Sequence, residues 1–373
     1  MNPRPRTLES LSHRELTAWR NALFVAFGLS GVALSTWVAR IPSVRDDLSL
    51  STFAVGLIML ASSGGSILGL IAAPPLLTRL GPRRAIGAML VADAAAMVAM
   101  GFGTSTLGLV SVVLAGLVVF GFGAGAADVT MNVDAASAEK ALGKTILPLM
   151  HGCWSGGTVV GAGVGAAAAA WHLPVALHMT GVAVLIAAGI LVAIRFIPNL
   201  LPADAELTVT GSIITPVVPP AGWREKLRIR VAVWQDTRLL LIGLVMLGMA
   251  FAEGAANDWI ALATVDGHHQ SNAAGAIFLG IFVTAMTVGR VAGGPFVDRF
   301  GRVAAVRGTA VLGVVGLLLF ILSDLPWLAA VGTVLWGLGA SLGFPLGMSA
   351  AADDQRNAAA RVSAVAMIGY CAL

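Results

Sequence analysis

Asp128 and Asn132 stand four residues apart in a run of glycine, alanine, valine and methionine. In a helix that spacing puts both side chains on one face. A carboxyl group inside hydrocarbon is unfavourable unless it meets water or a partner, so an acid kept there points to proton handling or to hydrogen bonding with a polar solute. Glu253 and Asn257 repeat the spacing, with Asp258 adjoining. The structural alternatives are that Asp128 braces the end of its helix, that Glu253 sits in an ion pair and that Asp258 is solvated at an outer mouth. His151, Trp154 and Ser155 make a third group. An imidazole can titrate near neutral pH, and an aromatic ring beside hydrogen-bonding groups suits a sugar-like solute. Against a cavity role, Gly157, Gly161 and Gly165 follow at a spacing that lets helices pack closely. Asp298, Arg299 and Arg302, with Arg290 deeper in the preceding run, and Arg79 and Arg83 earlier in the chain, are charges suited to latching helix ends. Asp93 stands alone, with no role legible.

The elements that must position these residues follow from composition. Of 373 residues, 57% are hydrophobic and 11% charged, less than half the charged share usual in soluble domains. Such a chain cannot cover itself with polar surface, and lipid is the expected solvent. Apolar runs long enough to cross a bilayer fall near 21–40, 53–77, 85–103, 107–133, 146–170 and 174–197, then 238–262, 273–297, 303–323 and 327–350, with an eleventh beginning near Val362. The run behind Arg4, Arg6, Arg14 and Arg20 is too long for a signal peptide and has no convincing cleavage site.

Charge orients these spans. Of the 23 Lys and Arg, only Arg40 and Arg45 fall at the expected outer face. Arg79, Arg83 and Arg84, then Lys140 and Lys144, then Arg224, Lys226, Arg228 and Arg230, then Arg299, Arg302 and Arg307, then Arg356 and Arg361 form inward clusters. The connections near 104–106, 171–173, 263–271 and 324–326 carry no Lys or Arg. The N-terminus is therefore expected in the cytoplasm of a multi-pass inner-membrane protein. The pI near 9.7 reflects this bias, so no nucleic-acid partner is needed to explain it.

The chain also repeats itself. Gly69, Ala72, Pro75, Arg79 and Gly81 recur 220 residues later as Gly289, Ala292, Pro295, Arg299 and Gly301. Trp37 and Trp259 match at a nearby offset, and Phe120-Gly-Phe-Gly-Ala matches Trp336-Gly-Leu-Gly-Ala. The expected fold is all-α: two pseudo-symmetric six-helix bundles, residues 1–197 and 237–373, joined by a cytoplasmic loop, 198–236. Parallel repeats of this kind place a solute site near the bilayer midplane between the halves. Met150-His-Gly-Cys aligns with Met367-Ile-Gly-Tyr, so the second half is expected to stop within helix 11, roughly 40 residues short by symmetry.

Gly289-Arg-Val-Ala-Gly-Gly-Pro-Phe-Val-Asp-Arg-Phe-Gly-Arg302 resembles the loop signature of the major facilitator superfamily; in the first copy Thr78 stands where an Asp is usual. Asp128-Val-Thr-Met-Asn132, Met150-His-Gly-Cys-Trp-Ser155 and Glu253-Gly-Ala-Ala-Asn-Asp-Trp259 resemble the group around the fucose permeases and the MosC and YbjJ-type transporters. In fucose permeases an acid followed four residues later by Asn serves proton coupling and sugar binding, which the resemblance carries to Asp128. Their acid in the first span has Thr36 at the matching place, so a two-acid mechanism does not transfer intact. The resemblance implies that the loop charges latch the cytoplasmic side.

Other signals are weak. His268-His269 has no third ligand nearby, so no metal is expected. Gly121-Phe-Gly-Ala-Gly125 lies inside a membrane run with no strand before it and no Walker lysine after it. No nucleophile–base pair stands out, so neither an enzyme nor a cofactor is expected. The reading is a secondary transporter, acting as a monomer, that couples a small polar, sugar-like solute to protons by alternating access. The alternatives are a drug or metabolite efflux antiporter, disfavoured because the fifth span lacks a proline-containing glycine signature, and a transport-inactive truncated membrane protein.

Overall fold

The computed structural model describes residues 11–143, 146–198 and 235–351, together with Arg361, Ala364, Val365, Ile368 and Gly369. Nearly all of the central loop and most of the eleventh expected span lie outside the described residues. The chain divides into two compact units, Met1–Ile214 and Thr215–Leu373. Every described element is helical.

The first unit contains α1 (His13–Asp47), α2 (Thr52–Phe102), α3 (Val110–Leu142), α4 (Leu147–Ala170) and α5 (Val175–Ala193). A capping box opens α1: the Ser12 hydroxyl accepts from the Glu15 backbone N–H, and the Glu15 carboxylate accepts from the Ser12 N–H. The second and third expected spans form one element, α2, bent at Gly81, whose φ of 74° and ψ of 164° lie outside helical geometry. Pro82 follows at once. A proline at a helix start lacks only an N–H that would have had no partner there, so the second limb begins with no intervening loop. Helix α3 runs to Leu142, nine residues beyond the expected end, until Gly143 closes it at φ 61°.

The second unit contains α6 (Thr237–Gly267), α7 (Asn272–Phe300), α8 (Arg302–Leu322), α9 (Pro326–Ala340) and α10 (Gly343–Ala351). Gly301, at φ 80° and ψ 159°, joins α7 directly to α8. The tenth expected span is interrupted at Ser341 and Leu342. Pro345 has no N–H to return to the carbonyl of Ser341, four residues back. That carbonyl instead accepts from Arg290 Nε at 3.4 Å.

Among the described residues, eight helices are long and apolar enough to cross a membrane. Val311, Val314, Leu318 and Ile321 form an exposed stripe along α8, a surface that water would not tolerate at this extent. Inside the first unit the helices meet through glycine. Gly157 of α4 lies against the Gly28 carbonyl of α1, and Gly31 lies against the Trp154 carbonyl in return. Gly121 and Gly125 of α3 meet the carbonyls of Ser62 and Ser66 on α2, while Gly65 and Gly69 meet those of Val118 and Phe122. The glycine-rich segment 121–125 is thus a helix crossing, and Gly157, Gly161 and Gly165 of α4 are a packing face.

Asp236 caps α6. Its carboxylate accepts from the backbone N–H groups of Arg238 (2.9 Å) and Leu239 (3.3 Å) and pairs with the Arg361 guanidinium. The Arg361 hydrogen bond, then the backbone N–H groups, hold its carboxyl below the usual range. A depressed acid stabilises the fold above its unfolded pKa of about 4 and loses that contribution as pH falls through the lower folded value. Detergent-solubilised wild type should therefore lose thermal stability more steeply than Asp236→Asn as pH falls below about 5. Parallel acid profiles would rule out this role for the cap.

Candidate functional site

Helices α3 and α4 bring three of the sequence candidates together. Asn132 sits one turn after Asp128, and its Nδ2 donates both to the Asp128 backbone carbonyl (2.8 Å) and to Asp128 Oδ1 (3.0 Å). Its Oδ1 faces His151 Nε2 at 3.1 Å. A carbonyl oxygen only accepts, so in this arrangement His151 Nε2 carries the proton. The result is a hydrogen-bonded chain, carboxylate to amide to imidazole, across two helices. Asn132 is buried, Asp128 half-buried and His151 exposed on the unit. Phe27 of α1 meets the His151 ring edge-on, with centroids 5.3 Å apart, which fixes the imidazole plane from a third helix. Trp154 is half-buried one turn beyond His151 and packs against the core of the first unit.

The local sequence accounts for this placement. Buried Ala126, Ala127, Met131 and Ala135 turn one face of α3 into the unit's core, which leaves Asp128 at its margin. The chain has the chemistry to bind a proton at one end and report it at the other. It also has the donors and acceptors to grip a hydroxylated solute.

Glu253 and Arg290 form the second polar centre. Arg290 Nη2 donates to both Glu253 carboxylate oxygens, at 2.8 and 2.9 Å, linking α6 to α7. Asn257 is half-buried one turn along α6 and takes no part in the pair. The sequence left Glu253 open between a proton site and an ion pair; in the structure it is ion-paired. Arg290 was expected to extend the loop charges. It lies nine residues before Arg299, about 13 Å along the helix axis at 1.5 Å per residue, and its bonds run to Glu253 and Ser341.

The remaining charges frame the two glycine joints. Arg79 and Arg83 flank Gly81, with Arg79 exposed and Arg83 half-exposed. Asp298, Arg299 and Arg302 flank Gly301 and are all exposed, with the Arg299 guanidinium 5.4 Å from the Phe300 ring centre. Asp258 is half-buried, nine residues before the end of α6. His268 packs against Phe320, with ring centroids 4.9 Å apart.

Sequence reasoning missed one buried feature and found no role for another. Asp134 accepts from Trp19 Nε1 at 2.8 Å, tying α3 to α1, and both residues are at most 2% exposed. With the fourth span expected to end at residue 133, Asp134 fell just outside it. A helical period continued through Ala135 and Ala138 could have found it. Asp93 lies buried on the second limb of α2 against Gly123 of α3, a glycine notch that admits its carboxyl.

Known proteins agree with this architecture. The uncharacterized transporter y4wD of Sinorhizobium fredii is 28% identical over 368 residues, covering 96% of this chain and 89% of the relative. The membrane protein MosC of Rhizobium meliloti is 24% identical over 355 residues, covering 94% and 79%. Among solved structures, a D-xylose-proton symporter superposes with a TM-score of 0.64 at 13% identity, covering 95% of this chain and 88% of that one. The bent helix pairs and the long apolar helices fit a multi-pass membrane protein, and the sequence profile of the Major Facilitator Superfamily matches residues 23–373, so the chain is a member of that superfamily.

Proposed function

We propose that this chain is a secondary active transporter that moves a small polar, sugar-like solute together with protons by alternating access. The hydrogen-bonded chain Asp128–Asn132–His151 carries this reading. Asp128 is the proton carrier, Asn132 and His151 relay or sense its state, and Trp154 offers an aromatic face to the solute. The D-xylose-proton symporter among the structural relatives is consistent with such a solute and coupling ion. In the second unit, Glu253 and Asn257 supply polar contacts, with Arg290 holding Glu253. Arg79, Arg83, Asp298, Arg299 and Arg302 latch the cytoplasmic face.

The two units act as pseudo-symmetric halves, 1–197 and 237–373, that rock against each other. Within each unit the same joint recurs at Gly81 and Gly301. The same crossing recurs as well: Gly121 meets the Ser62 carbonyl, and Gly337 meets the Phe282 carbonyl. The working form is a monomer in the inner membrane with its N-terminus in the cytoplasm.

The test is uptake of labelled pentoses, hexoses and nucleosides into vesicles carrying this chain, with and without a pH gradient. One solute should accumulate several-fold and lose that accumulation when a protonophore collapses the gradient. Reporter fusions at Arg83 and Gly267 should mark opposite faces. Gradient-independent accumulation would remove proton coupling, and reporters on one face would overturn the orientation.

A further inference from the structure

At the end of the first unit where α4 turns into α5, buried polar atoms gather without partners. Arg40 of α1 is 3% exposed, and one of its nitrogens, Nη2, donates to the Leu173 carbonyl at 2.7 Å. Its Nε and Nη1 have no partner. His178 of α5 is 7% exposed with both ring nitrogens unpartnered, and it lies close enough to Arg40 for their charges to interact. One turn before Arg40, the buried hydroxyls of Ser35 and Thr36 are also unpartnered. Six of the ten such atoms among the described residues belong to these four side chains. The helix backbones explain the proximity: Gly161 of α4 lies against Ser35, and Gly165 lies against Ala39 and His178.

The chemistry of the orphans is one-sided. A guanidinium only donates, and hydroxyls and a neutral imidazole can each turn a hydrogen toward a common acceptor. Helix α5 begins at Val175 with no side-chain cap from Pro174, and its Ala176 N–H donates to Ser105 Oγ at 3.3 Å; its positive dipole end follows Leu173, whose carbonyl Arg40 holds. Asp47 is the carboxylate that acts on Arg40, but it is the exposed last residue of α1 and accepts from Ser105 Oγ at 3.4 Å. Water could satisfy the hydrogen bonds. It would still leave the buried Arg40 with only an exposed carboxylate, Asp47, as its counter-charge, and a poorly compensated buried charge is costly.

We propose that Arg40, His178, Ser35 and Thr36 form a binding site for one small monovalent anion, either a halide or a formate-sized carboxylate, that pins α1 to α5. The site is separate from the Asp128 chain and does not depend on the transport reading. Because such an anion binds the folded protein and not the unfolded chain, it raises the melting temperature with its concentration.

The test is thermal melting of the full chain in detergent, at constant ionic strength, in sodium chloride, sodium formate or the sodium salt of a bulky sulfonate. Wild type should melt several degrees higher in chloride or formate than in the sulfonate, and the better of the two identifies the source. Arg40→Met should lose that dependence, and His178→Phe should weaken it. Should Arg40→Met fail to fold, wild type and His178→Phe still decide. Equal melting of wild type in all three salts, or dependence on the anion that is unchanged in a folded variant, overturns the site.

Discussion

Asp128→Asn should reduce proton-driven accumulation of the transported solute to the level of vesicles without the protein, while downhill exchange continues. The substitution isolates the proton. Asn132 Nδ2 reaches Asp128 Oδ1 at 3.0 Å, and an asparagine at 128 presents the same acceptor. The bond to His151 can persist as well, so the fold keeps its local geometry and loses only a group that exchanges protons. A carrier that cannot release a proton cannot draw on the gradient, but exchange of solute for solute needs no net proton movement. Accumulation and exchange are measured on vesicles matched for protein content, which separates loss of coupling from loss of protein. Normal gradient-driven accumulation by Asp128→Asn would end its candidacy.

Gly157→Ala should destabilise the protein by about 1–3 kcal/mol, the range for overpacking a filled site, whereas Gly156→Ala should be neutral or stabilise it by up to about 1 kcal/mol. The two glycines are neighbours on α4 and point about 100° apart around the helix. A Cβ at 157 would run into the Gly28 carbonyl and come within 3.1 Å of the Val32 nitrogen on α1; at 156 nothing lies within 4 Å. Backbone atoms cannot swing aside as a side-chain tip can, so α1 and α4 would have to separate. At 156 the new methyl removes only the entropic penalty of glycine in a helix. The melting temperature in detergent distinguishes the pair, and matching values would mean that α1 and α4 do not cross at these residues.

These elements also show what a sequence alone can and cannot reveal. The spans were legible because each is a long apolar run. The meeting of Asp128, Asn132 and His151 was half legible: four-residue spacing puts the first two on one face, but whether α4 turns His151 toward them depends on how the glycine faces of α1 and α4 seat. Helix ends were harder. Residues 134–142 carry only small alanines among charged and polar residues until Leu142, too weak an apolar signal to extend the span, so α3 looked shorter than it is, and buried Asp134 was missed with it. Charge partners were harder still. Arg290 read as part of the nearby loop cluster, yet the i to i+4 bond that Pro345 cannot make leaves a free carbonyl beside it, and Glu253 comes from another helix. Arg40 looked like an ordinary outer-face arginine; its burial follows from the packing of α1, α4 and α5 together.

The glycine joints bear on motion. Gly81 connects the limbs of α2 with no residues to spare, as Gly301 connects α7 to α8. A loop of several residues is a tether, along which one helix can move while the next stays still. A single residue between two helices is a universal joint with only φ and ψ to turn. Any rotation of the first limb must reach the second through those two torsions, so the pair moves as a linkage with few degrees of freedom. An inserted peptide tag that a tether would absorb would, at either joint, disconnect the linkage.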